Sequence, residues 1–422
     1  MSLLLRNAIY IDWKNHSFTE ADILVGDGHN GKIKLFYPGE ADEPDADILD
    51  CFGKYVTKAF ANGHHHVYST LSKGMPPPVI PPKNFHEKLQ HVWWQLDKSL
   101  DREMIEASAL FTAMECAKNG VTFVIDHHAS PFAVESSLET LAKAFDKVGV
   151  SHLLCYEISD RDGEKVTSAG LEETDSYLKN NQGLVGLHAS FTISDKTLKS
   201  AVSLAEKHHS GIHIHVAEDR IDQRDSIEKY GYRVVNRLQI FGVTDLPKSI
   251  LVHCIHLNDE ERNIMKNAES WIVVNMESNL NNNVGQFSSA RLGDNIMLGT
   301  DGMHSDMLRA AKATYFGCLR IDKATPAKLY ERFRNIHNYT YQNGINGDGE
   351  NNLVVLDYPT PTDFNSENFT VHFIYGIESK HVQHVISDGK LIVKDKKLTQ
   401  ANEGEILEFS REMGEKLWKN LK

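Results

Sequence analysis

Eight apolar runs, most of them separated by helical patterns, constrain this 422-residue chain more than any other feature of its sequence. The runs fall near residues 56–61, 121–126, 152–158, 184–188, 212–216, 250–254, 271–275 and 296–300. Between them, the spacing of apolar residues predicts helices over 103–119, 132–147, 195–209, 224–241 and 259–268. Ser194 and Asp195 are candidate caps, and Gly120, Gly211 and Gly242 are candidate stops. Eight strands alternating with helices favour a (β/α)₈ TIM-like barrel over an open doubly wound sheet, which usually has fewer strands. No Gly-x-Gly-x-x-Gly or Walker loop opens a helix, which counts against the nucleotide-binding alternative.

The flanks read differently. Short strands are expected at Leu4–Ile11, Asp22–Val25 and Ile33–Tyr37, and again at Leu353–Asp357, His372–Tyr375, Val382–Ile386 and Leu391–Val393. Residues 1–57 and 348–400 should therefore meet in one composite β-sandwich domain, with the barrel at 58–347. Residues 401–422 end in an amphipathic helical run, docking on the domain or on another subunit. Residues 67–102 form an abnormally long connection containing Pro76-Pro77-Pro78 and Pro81-Pro82, the signature of a lid or binding loop. Its adjacent Trp93 and Trp94 either pack on the barrel or line a pocket for a flat substrate.

The net charge of −13 argues against nucleic-acid or anionic-membrane partners and leaves a small molecule as the expected one. Five scattered cysteines form no Cys-x-x-Cys pair, the pattern of a reduced cytoplasm. No window has the length of a membrane span, and the first residues do not read as a signal peptide. A homo-oligomer, a dimer, is expected.

The 22 histidines are the unusual entry in the composition, and several sit at strand ends. In Asn62-Gly63-His64-His65-His66, His64 and His66 share a face of the first strand and His65 points the other way. Paired neutral imidazoles suit Zn²⁺ or Fe²⁺, whereas a tag-like surface tract is the plainer alternative. Strand five ends His213-Ile214-His215-Val216-Ala217-Glu218, strand six Leu251-Val252-His253 and strand eight Leu298-Gly299-Thr300-Asp301. A lone histidine at a strand end is more often a core residue, but four strands delivering His, His, His and Asp to one rim is hard to read that way. His213 lies a layer deeper and reads as barrel filling. One of His127 and His128 faces the pocket on the alternation argument, and His304 is either a loop residue or a substrate contact.

These motifs resemble the amidohydrolase superfamily, in its chlorohydrolase and nucleobase-deaminase branch, with the SsnA-type aminohydrolases the nearest likeness. The resemblance extends over essentially the whole chain and includes Met276-Glu277-Ser278-Asn279-Leu280-Asn281-Asn282. It implies that His64, His66, His215 and Asp301 bind one divalent metal, zinc by default, with iron or manganese as alternatives. It also implies that His253 lies beside that metal as a further ligand or hydrogen-bond donor, that Glu218 shuttles protons and that His188 contacts substrate. Glu218, His253 and Asp301 are the expected catalytic residues, and His188, Trp94, His127 and His304 the expected substrate contacts. Lys58-Ala59 stands where relatives usually carry Pro-Gly, and Val274-Asn275-Met276 precede Glu277-Ser278-Asn279 where relatives often carry His-Asn-Pro before Ser-Asn. The strand-four end, Gly186-Leu187-His188, lacks the bridging lysine of two-metal relatives, which favours a mononuclear site.

The implied reaction is hydrolysis of a non-peptide C–N bond in a small nitrogen heterocycle, with a metal-activated water as nucleophile. An amidase or dehalogenase could use the same residues. A non-catalytic scaffold is the third reading, although such relatives lose ligands that are all present here.

Overall fold

The computed structural model describes residues 3–29, 31–43 and 45–421. Among these residues, eight parallel strands pair in chain order: Phe60–His65, Val121–His128, Ser151–Ile158, Val185–Ala189, Ile212–Val216, Ile250–His253, Trp271–Val274 and Ile296–Leu298. They are numbered here as barrel strands one to eight. Beyond strand eight the chain returns to strand one, where the Thr300 and Asp301 amides donate to the His64 carbonyl at 3.0 and 3.1 Å. Two glycines permit this seam. A Cβ on Gly63 would stand 2.8 Å from the Leu298 carbonyl oxygen, and one on Gly299 would stand 2.9 Å from the His64 backbone. The expected (β/α)₈ barrel is the architecture found.

Alternation along the strands separates two cores. Leu154, Ile214 and Val274 face the helices. Phe123, Ile125, Leu153, Val252, Val273 and Met297 fill the lower barrel. Above that apolar plug the inward positions turn polar.

The predicted strand at 56–61 is in fact two. Tyr55–Lys58 pairs with Leu353–Leu356 in the terminal sheet, and Phe60–His65 opens the barrel. The chain changes partners at Ala59, whose amide donates to Asn352 while the next amide donates to Gly120, both at 2.9 Å. An unbroken apolar run carries no mark of such a switch. Among the described residues, both ends of the chain contribute to one nine-stranded sheet around its own core of Leu5, Ile23, Val56, Leu353, Val355 and Ile386.

Several helices match expectation, including Arg102–Lys118, capped by Asp101, and Asp195–Lys207, capped by Ser194. The span expected at 224–241 is two helices, Arg220–Tyr230 and Val234–Ile240, parted at Gly231 with φ +76°. His372–Tyr375 is helical rather than extended. Helix Phe369–Tyr375 buries Phe369 and Phe373, one turn apart, against Tyr330 and Phe333 of helix Pro326–Gln342. A four-residue apolar run cannot distinguish the two periods. Helices Glu164–Leu178, Met307–Asp322 and Pro326–Gln342 have no counterpart among the helices that apolar spacing predicts.

The C-terminal helix, Glu403–Asn420, docks on its own chain. Ser410 donates to the Ala107 carbonyl at 3.3 Å, and the Trp418 indole donates to Leu71 at 2.8 Å. The long connection carries a helical stretch over residues 85–99 with a π turn at Leu89–Trp93, an irregularity common at functional sites. Among the described residues no helix is long and apolar enough to cross a membrane.

Candidate metal centre and active site

A bulge aims the first two histidines. Asn62 pairs with Val124 and His65 with Asp126, so strand one holds one residue more than its neighbour across that interval. The extra residue exchanges the two faces. Ala61 belongs to the lower barrel core, yet past the bulge it is His64 and His66 that turn inward. His65 turns away, as expected, and meets the Ser305 hydroxyl at 3.1 Å. Other strand ends are bent by left-handed backbone: φ is +47° at Ala217, +71° at His253, +51° at Cys254 and +54° at Asp301. Residues with a Cβ rarely adopt this conformation, and here it clusters where side chains must be aimed.

His64, His66, His215 and Asp301 each bring a ligand atom to within 4.8 Å of the others, and all four are buried. The Nδ1 of His66 donates to the His127 carbonyl and that of His215 to the His188 carbonyl, both at 2.8 Å. Their Nε2 atoms then face each other at 3.1 Å. His64 Nδ1 meets His213 Nε2 at 2.9 Å, so His213 backs His64 from below. His64 Nε2 is buried without a hydrogen-bond partner, 3.5 Å from Asp301 Oδ1, and His66 Nε2 lies 3.1 Å from the same oxygen. Burial pushes His64 and His215 well below the ordinary histidine pKa. At His66 burial is overcome by the Asp301 carboxylate, which lifts the ring to about 9. Burial likewise opposes ionisation of Asp301, but His66, His64 and His253 hold it well below the usual carboxylate range. Three imidazoles and a carboxylate thus converge on a space that calls for a cation. The donor set fits Zn²⁺, with Fe²⁺ or Mn²⁺ as close alternatives.

Glu218 and His253 stand beside this group. His253 Nε2 is 3.5 Å from Glu218 Oε2 and 3.9 Å from Asp301 Oδ2. Burial pushes Glu218 up to about 7, against the pull of His253 and with Asp301 adding to the rise. The short helix Met276–Asn282 after strand seven then positions all three residues. Ser278 donates to Asp301 Oδ2 at 2.5 Å, Asn279 accepts from His253 Nδ1 at 2.8 Å, and Asn282 donates to Glu218 at 3.4 Å. Nothing in the residue types of Met276–Asn282 marks these three roles.

A cavity of about 470 Å³ opens over the cluster, within the range of small-molecule sites. His66, His215, Glu218, His253 and Asp301 face it, as do His188 and Trp94. Of the two options for the tryptophans, Trp93 and Trp94 line this pocket. His127 is inward-facing but lies beneath the floor, where its Nε2 meets the Leu187 and His213 carbonyls at 3.1 and 3.2 Å. His128 faces the other way, onto Ser130. His304 lies outside the cavity, hydrogen-bonded to Glu277 and accepting from the Asp306 amide. Neither His127 nor His304, both expected as substrate contacts, lines the cavity. Glu157 and Arg161, neither singled out from sequence, also line the wall. Glu157 could have been found by parity, since it follows Leu153 and Cys155 on the inward face of strand three.

Residues 55–344 match the amidohydrolase family, to which this chain belongs. A 5'-deoxyadenosine deaminase from Methanococcus maripaludis is 26% identical over 97% of this chain and 98% of its own length. A 5-methylthioadenosine/S-adenosylhomocysteine deaminase from Thermococcus sibiricus is 27% identical over 93% of this chain and 94% of its own. Among solved structures, a zinc-bound adenosine deaminase from Xanthomonas campestris aligns over 98% of both chains with a TM-score of 0.84 at 18% identity, a likeness of fold.

Proposed function

We propose that this protein is a mononuclear metal-dependent aminohydrolase that removes the amino group of a small nitrogen heterocycle, with aminopurine nucleosides the first class to test. The observation that carries the reading is the convergence of four ligand atoms with a proton-carrying Glu218 at one cavity. The names of the deaminase relatives support the bond type.

A divalent cation held by His64, His66, His215 and Asp301 supplies Lewis acidity and brings water ionisation toward neutral pH. Asp301, ionised and braced by Ser278, accepts the proton of the attacking water. Glu218, its pKa raised to about 7, delivers a proton to the ring nitrogen beside the attacked carbon. His253, held by Asn279, steadies the charge that develops on the incoming oxygen. A second proton passed through Glu218 lets the amine depart. One C–O bond forms, one C–N bond breaks, and water plus amine become carbonyl plus ammonia.

Zinc is the proposed metal, and a cytoplasmic setting agrees with five buried cysteines that are all free thiols. The test is ammonia release from aminopurine nucleosides, aminopyrimidines and amino-triazines, on protein stripped of metal and then reloaded. Metal-dependent ammonia supports the reading. Metal-dependent release of chloride from a chloro-triazine, or of a carboxylate from an amide, with no ammonia from the amino compounds, instead points to a dehalogenase or amidase, and activity indifferent to metal overturns the whole assignment.

A further inference from the structure

The mechanism leaves one buried carboxylate in the cavity without a task. Glu157 is 6% exposed and lines the wall two strands around the barrel from Glu218. Its ion-pair contacts among the described residues are long, His127 Nδ1 at 3.3 Å and Arg161 Nη1 at 3.9 Å. Arg161 is engaged elsewhere: Nη2 pairs with Asp97, Nε lies 2.9 Å from Asp162, and the guanidinium sits 5.2 Å from the Trp94 ring centroid. A carboxylate can accept about four hydrogen bonds, and a buried one short of donors is costly.

A second cation does not resolve this. Glu157 lies within 4.8 Å of ligand atoms on His66 and His127, and likewise on His188 and His215. Either trio needs a lone pair from His66 or His215. Each of those rings has its Nδ1 committed to a carbonyl, and its Nε2 already belongs to the first metal group. One ring nitrogen serves one cation.

We propose that Glu157 determines substrate specificity by accepting N–H or O–H donors from the part of the substrate remote from the edge that Glu218 protonates. This rests on the aminohydrolase reading. The ligand class is an aminoheterocycle that carries such donors, with Trp94 and Arg161 forming the adjacent wall. A ribose diol and the ring N–H of a free base share this chemistry. A site built to pair a polar substrate group rejects the analogue lacking it by large factors, here about 10²-fold or more.

The test compares metal-loaded wild type, Glu157→Gln and Glu157→Asp on two matched pairs: an aminopurine nucleoside against its 2',3'-dideoxy form, and a free aminopurine against its N9-methyl form. Wild type should prefer the donor-bearing member of one pair by about 10² in kcat/KM, and that pair identifies the source of the donor. Glu157→Gln should erase the preference mainly through KM, with metal content unchanged, and Glu157→Asp should retain part of it. Equal losses on both members of each pair, or no preference in wild type, overturn the proposal. If no compound is turned over, quenching of Trp93 and Trp94 fluorescence by the same pairs decides the role of Glu157 separately. Loss of discrimination in Glu157→Gln upholds it, and unchanged discrimination overturns it.

Discussion

Two buried polar clusters occupy opposite mouths of the barrel. At the N-terminal mouth, Lys58 Nζ lies 2.8 Å from Asp348 Oδ1 and also donates to the Asp348 and Gly349 carbonyls. Asp348 Oδ2 accepts from His337 at 2.8 Å and from Thr340 at 2.7 Å, and Arg334 donates to the Lys58 and Ala59 carbonyls. Lys58 thus pairs with Asp348, and the Arg334 guanidinium is taken up by carbonyls of the same chain. At the C-terminal mouth, the Nε2 atoms of His64 and His253 are buried without hydrogen-bond partners. The first cluster is held by partners within the chain, and the second leaves ring nitrogens unpartnered where the cation is proposed. The departure at Lys58, where relatives carry proline, thus falls in the structural cluster and leaves the ligand set intact. The division follows the barrel rule that function gathers at the carboxyl ends of the strands and stability at the other face.

Mutations should separate the two. The largest effect is expected from His215→Ala, which removes a proposed ligand: bound metal and turnover should vanish together, as metal analysis beside an ammonia assay will show. Glu218→Gln should lower kcat by about 10³-fold yet keep the metal, because the role proposed for Glu218 is proton transfer and not ligation. Lys58→Met should do the reverse. It strands Asp348 as a buried charge and should cost about 3–5 kcal/mol in denaturant unfolding, with metal stoichiometry unchanged in the folded fraction. Asn279→Ala should be the mildest, retaining the fold while lowering kcat by about tenfold through a loosened His253.

Acid should sharpen the same contrast. Burial, opposed by Asp348, holds His337 down to about 4, below its ordinary 6.5. The unfolded chain therefore binds this proton first, and the stability from a neutral His337 is present above pH 6.5 and lost as pH falls toward about 4. That loss should appear in metal-free and metal-loaded protein alike. The extra thermal stability conferred by metal should fade separately, as protons compete for the ligand histidines.

Much of this was legible in the sequence because barrel strands advertise themselves as apolar runs and their ends as polar breaks. The pairing of His64 with His66 followed from period two, and the bulge between Asn62 and His65 changed only which face they took. What stayed hidden were features that depend on neighbours in space. The positive φ at His253 and Asp301 has no signature in residue type. Ser278, Asn279 and Asn282 read as an Asn-rich turn until strands five, six and eight brought Glu218, His253 and Asp301 beside them. His127 had the right parity for the pocket but sits one layer too deep. Glu157 has both the parity and the charge but belongs to no motif that sets it apart from a solvated carboxylate.

The central claim is that the C-terminal mouth is completed by a single divalent cation serving hydrolytic deamination. Titrating zinc into metal-stripped protein while following ammonia release from an aminopurine nucleoside tests it most directly. Activity should rise linearly and level off at one metal per chain. Full activity in the stripped protein, or a plateau reached only at two metals per chain, would contradict it.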